Sequence, residues 1–432
     1  METVPALVKI LIVFAAMLVL IRIRVPLGAA ILLGGVGLDA WSGAAPGAVL
    51  NDLGRALSRP FLWLLLATTA LIVEFGRHMA SPENAAALQR LARHWGGRHG
   101  RFYSLIGLPA LIGLVPMPAG ALFSAPMVQQ AAAEPRWAPA WKAAVNYWFR
   151  HVWEYWWPIY PAVIIGIAVF NMETWQFMAA LAAFTPATFW VGYQFLLRPH
   201  REALALDAAA SPPGALREGL RVLLPLGIII AAVLLLPPAA AALRPGMDPQ
   251  VRKLLAMLAG MLLGIGVIVR QEWGRRTGLL REVFRPHSLN VLLIVGGVAV
   301  FQSLLEASGL VPKASEDLLR CGIPLVPVIA LLPFLAGLIT GASAGFAGMT
   351  FPLVIGLMRT PGASLPPMAA LVLAFGSGYL GMMVSPIHLC LLVTRDYFDA
   401  RLAPIYRQIL PCVTGMALFT GLLFLLFRAL GW

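Results

Sequence analysis

The stretch Asn146–Pro161, NYWFRHVWEYWWPIYP, sets an arginine, a histidine and a glutamate among four tryptophans inside an otherwise apolar segment. A charge at the centre of a bilayer costs about 2.5–3.5 kcal/mol on insertion scales, so such residues are expected to have partners or a task. Arg150 and Glu154 stand four apart, which puts them on one face of a helix. Read plainly, they are an internal ion pair that anchors a kinked span. Read functionally, Arg150 and His151 draw an anionic substrate, and Glu154 or His151 carries a coupling proton.

The elements that must hold these side chains come in two copies. Leu108–Leu114 reads LPALIGL and Leu332–Leu338 reads LPFLAGL. Each runs into a small-residue segment with a second proline, Pro126 or Pro352, and then an apolar segment interrupted near Pro158 or Pro386. The offset creeps from 224 (Leu108 to Leu332) to 226 (Pro126 to Pro352) to 228 (Pro158 to Pro386), as small insertions would produce. Paired, proline- and glycine-interrupted apolar segments in two halves of a chain point to the binding site of a secondary transporter. A proline removes an N–H and clashes one turn back. The broken helix then offers free N–H groups to a carboxylate and free carbonyls to Na⁺.

The tips of the interrupted hairpins supply the other candidates. Tip two, Thr340–Thr350, has Thr340, Ser343 and Thr350 with Gly341 and Gly345. Tip one, Pro116–Ser124, has Gly120 and Ser124. Around the breaks lie Asn146, Ser377 and Ser385, and His388 follows the second. Substrate contacts are expected from Arg150, His151, Asn146, Ser124, Gly120, Thr340, Ser343, Thr350 and Ser377. Ion coupling is expected from Glu154, Glu74, Gly341, Gly345 and Ser385. Tight helix packing is the plainer use of the small residues.

The rest of the chain says membrane. Of 432 residues, 60% are hydrophobic and only 12% charged, against about 25% charged in soluble domains. Mean hydropathy is +0.82. The net charge of +13 has no basic arm or tail behind it, so we read it as loop arginines and not as a nucleic-acid footprint. Cys321, Cys390 and Cys412 are scattered without metal-ligand spacing and are expected to be small apolar fillers. No catalytic, metal or cofactor motif is expected beyond H⁺ or Na⁺ coupling.

Spans are expected at 4–21, 25–38, 60–76, 175–193, 220–236, 254–269, 288–305 and 408–430, with broken spans at 143–170 and 369–393. Segments 103–130 and 325–358 read as re-entrant hairpins. The fold expected is therefore an all-α membrane protein of about ten transmembrane helices plus two re-entrant hairpins. It divides into a first repeat (1–197), a cytoplasmic linker (198–219) and a second repeat (220–432). Five spans per half is odd, so the repeats have inverted topology. Most arginines fall in the predicted cytoplasmic loops when both termini lie outside, in the inner (plasma) membrane. Residues 85–95 are expected to form a helix of a cytoplasmic loop.

The segments PMPAGALFSAPMV and NYWFRHVWEYWWPIYP, with GFAGMTFPLV and GMMVSPIHLCLLVTRDYF, resemble the integral-membrane family called domain of unknown function family 401. The resemblance covers nearly the whole chain. It implies the ion transporter superfamily, with inverted repeats, two hairpins, a midplane site and a homodimer. The sodium–dicarboxylate carriers of that superfamily have Ser-Asn-Thr signatures at the hairpin tips. Here Pro116–Gly120 and Gly341–Gly345 stand in those places.

These observations predict a secondary transporter of a small organic anion, coupled to H⁺ or Na⁺, not an enzyme. Its partners would be the anion and the lipid bilayer, with no nucleic acid. A cation or proton exchanger using Glu74 and Glu154 is the alternative, and a membrane scaffold or assembly protein is a different class. Gly376–Gly381 (GSGYLG) lacks the strand a dinucleotide site needs. Gly341–Gly345 (GASAG) would be a serine nucleophile only on a strand–turn–helix.

Overall fold

The computed structural model describes residues 4–79, 81–96, 100–114, 116, 120–133, 137–200, 214–271, 286–321, 324–358 and 365–432. Every regular element among them is helical. In the first half these are α1 (Ala6–Arg22), α2 (Leu27–Trp41), α3 (Pro46–Ser58), α4 (Pro60–Met79), α5 (Pro82–Gly96), α6 (Gly100–Gly113), α7 (Ala121–Ala131), α8 (Pro139–Arg150), α9 (Pro161–Phe170), α10 (Thr174–Ala182) and α11 (Phe184–Gly192). The second half continues with α12 (Ala215–Leu243), α13 (Pro249–Gln271), α14 (Pro286–Ser308), α15 (Leu310–Arg320), α16 (Leu325–Thr340), α17 (Ser343–Met358), α18 (Pro367–Met383), α19 (Leu389–Tyr397) and α20 (Leu402–Leu430).

Five described segments are long and apolar enough to cross a membrane: Thr174–His200, Ala215–Leu243, Pro249–Gln271, Leu289–Ser308 and Leu402–Leu430. The pair Pro46–Ser58 and Pro60–Gly76, bent by 53°, adds a sixth if it is one span. The remaining expected spans are present as shorter helices or broken pairs. Part of the expected linker, residues 201–213, lies outside the described residues. So do residues 117–119 of tip one and the loop residues Arg98, Arg136, Arg201, Arg275, Arg276, Arg281 and Arg285.

Burial separates the helices into two populations. Every residue of Trp141–Arg150 in α8 and of Ala369–Met383 in α18 is buried. The long helices α12, α13 and α20 instead turn Leu235, Leu262, Leu418 and Leu422 outward. An outward leucine is unfavourable in water but costs nothing against lipid tails, which are as apolar as the side chain itself. The first limbs of the two broken helices, α8 and α18, thus lie in the interior, and the long helices α12, α13 and α20 turn an apolar face outward, as suits a bilayer.

Beside these broken helices stand two helical hairpins. α6 packs on α7, and α16 on α17. In the second hairpin the turn is short because Gly341 adopts φ +61°, a left-handed conformation that closes α16 and suits glycine. Each limb carries a proline inside its helix: Pro109, Pro126, Pro333 and Pro352. Pro126 and Pro352 therefore do not end the tips. They lie within the second limbs, where helices packed around them can satisfy the freed carbonyls.

The broken helices cross the hairpins at glycine. A Cβ on Gly113 of α6 would collide with the Arg150 carbonyl, and one on Gly337 of α16 with the Gly378 carbonyl. Likewise the Trp153 indole Nε1 donates to the Ala110 carbonyl at 2.8 Å, and Gly381 lies against the Phe334 carbonyl. In each comparison the hairpin residues differ by 224 positions and the broken-helix residues by 228. The same contact recurs at the same offsets seen in the sequence.

Candidate functional site

The first break is wider than a single proline produces. Pro158 clashes one turn back, near Glu154, yet α8 already stops at Arg150, and helix resumes only at Pro161, a position where proline starts helices well. Residues 151–160 form turns held by short backbone bonds such as Glu154 N–H to the His151 carbonyl (3.3 Å) and Tyr160 N–H to the Trp157 carbonyl (3.0 Å). The second break is narrower. α18 ends at Met383, one turn before Pro386, and α19 begins at Leu389.

Arg150 sits at the mouth of the first break and is among the largest fully buried side chains. Its Nη1 donates to Glu154 Oε1 at 3.2 Å and to the Tyr160 hydroxyl at 3.1 Å. Tyr160 passes its own proton to the Gly113 carbonyl at 2.5 Å. A guanidinium is thereby tied to the hairpin through a tyrosine, and to its own chain through a carboxylate. His151 is buried beside it, with Nδ1 2.6 Å from the Tyr147 carbonyl.

Tip one closes on the broken helix α8. Asn146 donates through Nδ2 to the Ala121 carbonyl (2.8 Å) and to Thr394 Oγ1 (3.3 Å), and its Oδ1 accepts from Ser124 Oγ (2.6 Å). Gly120, the residue before α7, stands at the same place. Tip two closes on the second break: a Cβ on Gly341 would fall 2.9 Å from His388 N. Two tyrosines join the broken helices directly. Tyr147 Oη donates to the Met383 carbonyl (3.1 Å), and Tyr379 Oη to the His151 carbonyl (2.5 Å).

The structure thus links Ser124, Gly120, Asn146, Arg150, His151 and Glu154 in one buried neighbourhood and brings Gly341 to its edge through His388. The hydroxyls of Thr340 and Thr350 bond carbonyls one turn back, Ala336 and Phe346, at 2.7 and 2.6 Å. Gly345 packs against the Thr340 side chain, and Ser343 opens α17 half-buried. Ser377 is buried in α18, next to Gly378, which lies on Phe346. Ser385 is buried and accepts from Ile387 N–H at 3.4 Å. Glu74 is buried in α4, where its neighbours Ile72 and Phe75 belong to a different packing cluster from that of Phe149 and Val152. No strand occurs among the described residues, so Ser343 lacks the frame of a nucleophile elbow. A crevice lined by Phe61, Ile164, Val233, Lys253 and Met257 shares no residue with this neighbourhood.

Sequence reasoning missed Tyr147, Tyr160, Tyr379, Thr394 and Cys390 as members of the site, and gave His388 no role. The only signal for His388 is its place beside Pro386. Cys390, expected as an apolar filler, lies with its sulfur within 4.8 Å of ring nitrogens of His151 and His388.

The profile of a family described as protein of unknown function, DUF401, matches residues 6–427. The chain belongs to this family. Its fold is similar to that of the YdaH transporter from Alcanivorax borkumensis, whose crystal structure was described as having an unusual topology. The TM-score is 0.59 at 16% identity, over 89% of this chain and 87% of that one. At that identity the likeness concerns the fold. No curated protein matches the DUF401 chain.

Proposed function

We propose that this DUF401 protein is a secondary active transporter of a small organic anion, a carboxylate in our reading, coupled to H⁺ or Na⁺ in the inner membrane. The observation that carries the proposal is the buried Arg150 at the first break, with two helix starts meeting its neighbours Asn146 and His151. α7 begins at Ala121 and α19 at Leu389, both bonded to or beside Asn146 and His151. Helix N-termini present free N–H groups and positive potential, and a guanidinium adds a planar fork for a carboxylate.

The recurring hairpin–helix contacts, at offsets of 224 and 228, support two inverted repeats with re-entrant hairpins. The shared fold with a transporter supports carriage across the membrane. Substrate would meet Arg150, His151, Asn146, Ser124 and the tip backbones of Gly120 and Gly341. Exchange of a cation at Glu154 is the weaker reading, because Arg150 already occupies that carboxylate.

Uptake of radiolabelled small carboxylates into proteoliposomes, under imposed H⁺ and Na⁺ gradients, tests the proposal. Losing a charged hydrogen bond worth roughly 1.5–3 kcal/mol should raise KM about 10- to 100-fold in Arg150→Ala, with a smaller rise in Arg150→Lys. Uptake and affinity unchanged in a folded Arg150→Ala protein would end the anion-site reading.

A further inference from the structure

Where the two breaks face each other, three side chains of metal-ligand type converge. His151 comes from the first break. His388 and Cys390 come from the second, 237 and 239 positions away in sequence. Their ligand atoms all lie within 4.8 Å of one another, and all three residues are buried. His151 Nε2 and His388 Nε2 are 3.1 Å apart.

The tautomer of His151 suits coordination, and an ion would displace the proton that the 3.1 Å contact places between the two Nε2 atoms. A carbonyl can only accept, so the 2.6 Å contact of His151 Nδ1 with the Tyr147 carbonyl puts the proton on Nδ1. The lone pair of the neutral ring is then on Nε2, which faces His388. Orientation of a ligating imidazole by a backbone carbonyl on its other nitrogen is the usual outer-shell arrangement in metal sites. Two nitrogens at about 2.0–2.1 Å from a tetrahedral ion stand roughly 3.3 Å apart, close to the separation here.

The thiol has its own support. Cys390 lies in the first turn of α19, and the backbone amides of Gly120 and Ala121 face its sulfur. These N–H groups offer positive potential to a thiolate ligand. Glu154 Oε1 lies 3.9 Å from His151 Nε2 but is held by Arg150 and stays outside the set.

We propose that His151, His388 and Cys390 form a binding site for a thiophilic d¹⁰ cation of the Zn²⁺ class, with a fourth position open to a small ligand. Two imidazoles and a thiolate suit such an ion, whereas hard cations prefer oxygen. The proposal rests on the three side chains and does not depend on the transport reading.

The test uses the full chain, purified tag-free in detergent after chelator treatment, with the exposed Cys321 changed to Ser so that surface thiol does not contribute. Titration with Zn²⁺ against a chromogenic chelator should give one equivalent per chain. Co²⁺ should give thiolate-to-cobalt charge-transfer absorption. His388→Ala and Cys390→Ser should each weaken Zn²⁺ by at least about 100-fold, more than the loss of an outer-shell partner. Cys390→Ser should also abolish the Co²⁺ band, with folding checked by thermal unfolding. Absence of the Co²⁺ band in the parent protein overturns the proposal, and that measurement needs no further variant to fold. Undiminished Zn²⁺ affinity in folded His388→Ala or Cys390→Ser overturns it as well. Since neither observation involves uptake, failure here leaves the anion-carrier reading standing, and the converse also holds.

Discussion

Arg150 is an anchor by its bonds and a binding group by proposal, and the Glu154 bond allows the two to be separated. Removing one partner of a buried pair leaves the other charge uncompensated and typically costs about 3–5 kcal/mol, while replacing both with apolar groups is often neutral. Glu154→Ala should therefore lower the unfolding free energy in detergent by that amount. The double variant Arg150→Leu/Glu154→Leu should recover most of it, because Tyr160 keeps its bond to the Gly113 carbonyl. Recovered folding without recovered anion binding assigns Arg150 to the substrate. If both return together in the double variant, the pair is an anchor only.

At the scale of elements, close crossing of helices explains why glycine stands where it does. A Cβ on Gly381 would fall 2.8 Å from the Phe334 carbonyl carbon and 3.0 Å from Leu338 N, besides colliding with the Phe334 oxygen. Those are backbone atoms and cannot rotate away, so α16 and α18 must separate. Gly381→Ala should destabilise by about 1–3 kcal/mol, the usual cost of overpacking. Gly421→Ala, in α20 with nothing within 4 Å, should instead gain up to about 1 kcal/mol from helix propensity. Thermal unfolding of the two variants side by side checks the contrast, and equal shifts would contradict the crossing. The pairing of the two glycines was legible in the sequence, since LPALIGL and LPFLAGL place Gly113 and Gly337 at matching positions, but what they cross was not. The extent of the first break was not. Pro158 accounts for one turn, whereas the unwinding back to Arg150 brings Tyr160 under the guanidinium and Trp153 onto the Ala110 carbonyl, tertiary bonds that no local pattern encodes. Helix α3 was missed for a related reason: its polar Asn51, Asp52 and Arg55 do not read as a span, yet it continues into α4 with a 53° bend.

For the whole molecule, the two halves are joined by bonds that answer one another. Tyr147 reaches the Met383 carbonyl and Tyr379 reaches the His151 carbonyl, one bond in each direction, although at the 228 offset Tyr147 matches Phe375 and not Tyr379. That cross-bonding, like the meeting of His151 with His388, arises only when the halves interlock, so the two copies were legible in the sequence and their shared centre was not. On the carrier reading proposed here, the hairpins and broken helices would move as one body against the surrounding helices. Val298 of α14 and Gly348 of α17 lie across that boundary. An added Cβ on Gly348 would be 3.4 Å from Val298 Cβ, near the 3.5–4.5 Å spacing of disulfides. In a Cys321→Ser background, the pair Val298→Cys/Gly348→Cys should cross-link on oxidation. Carboxylate uptake should then stop and return on reduction, while each single variant should show no redox response. Binding of the same acid, followed by thermal shift, should survive the cross-link, because neither α14 nor α17 carries one of the proposed substrate contacts. Uptake that continues at the parent rate in fully cross-linked protein would mean that α17 does not slide past α14, and that transport, if it occurs, needs a different moving part.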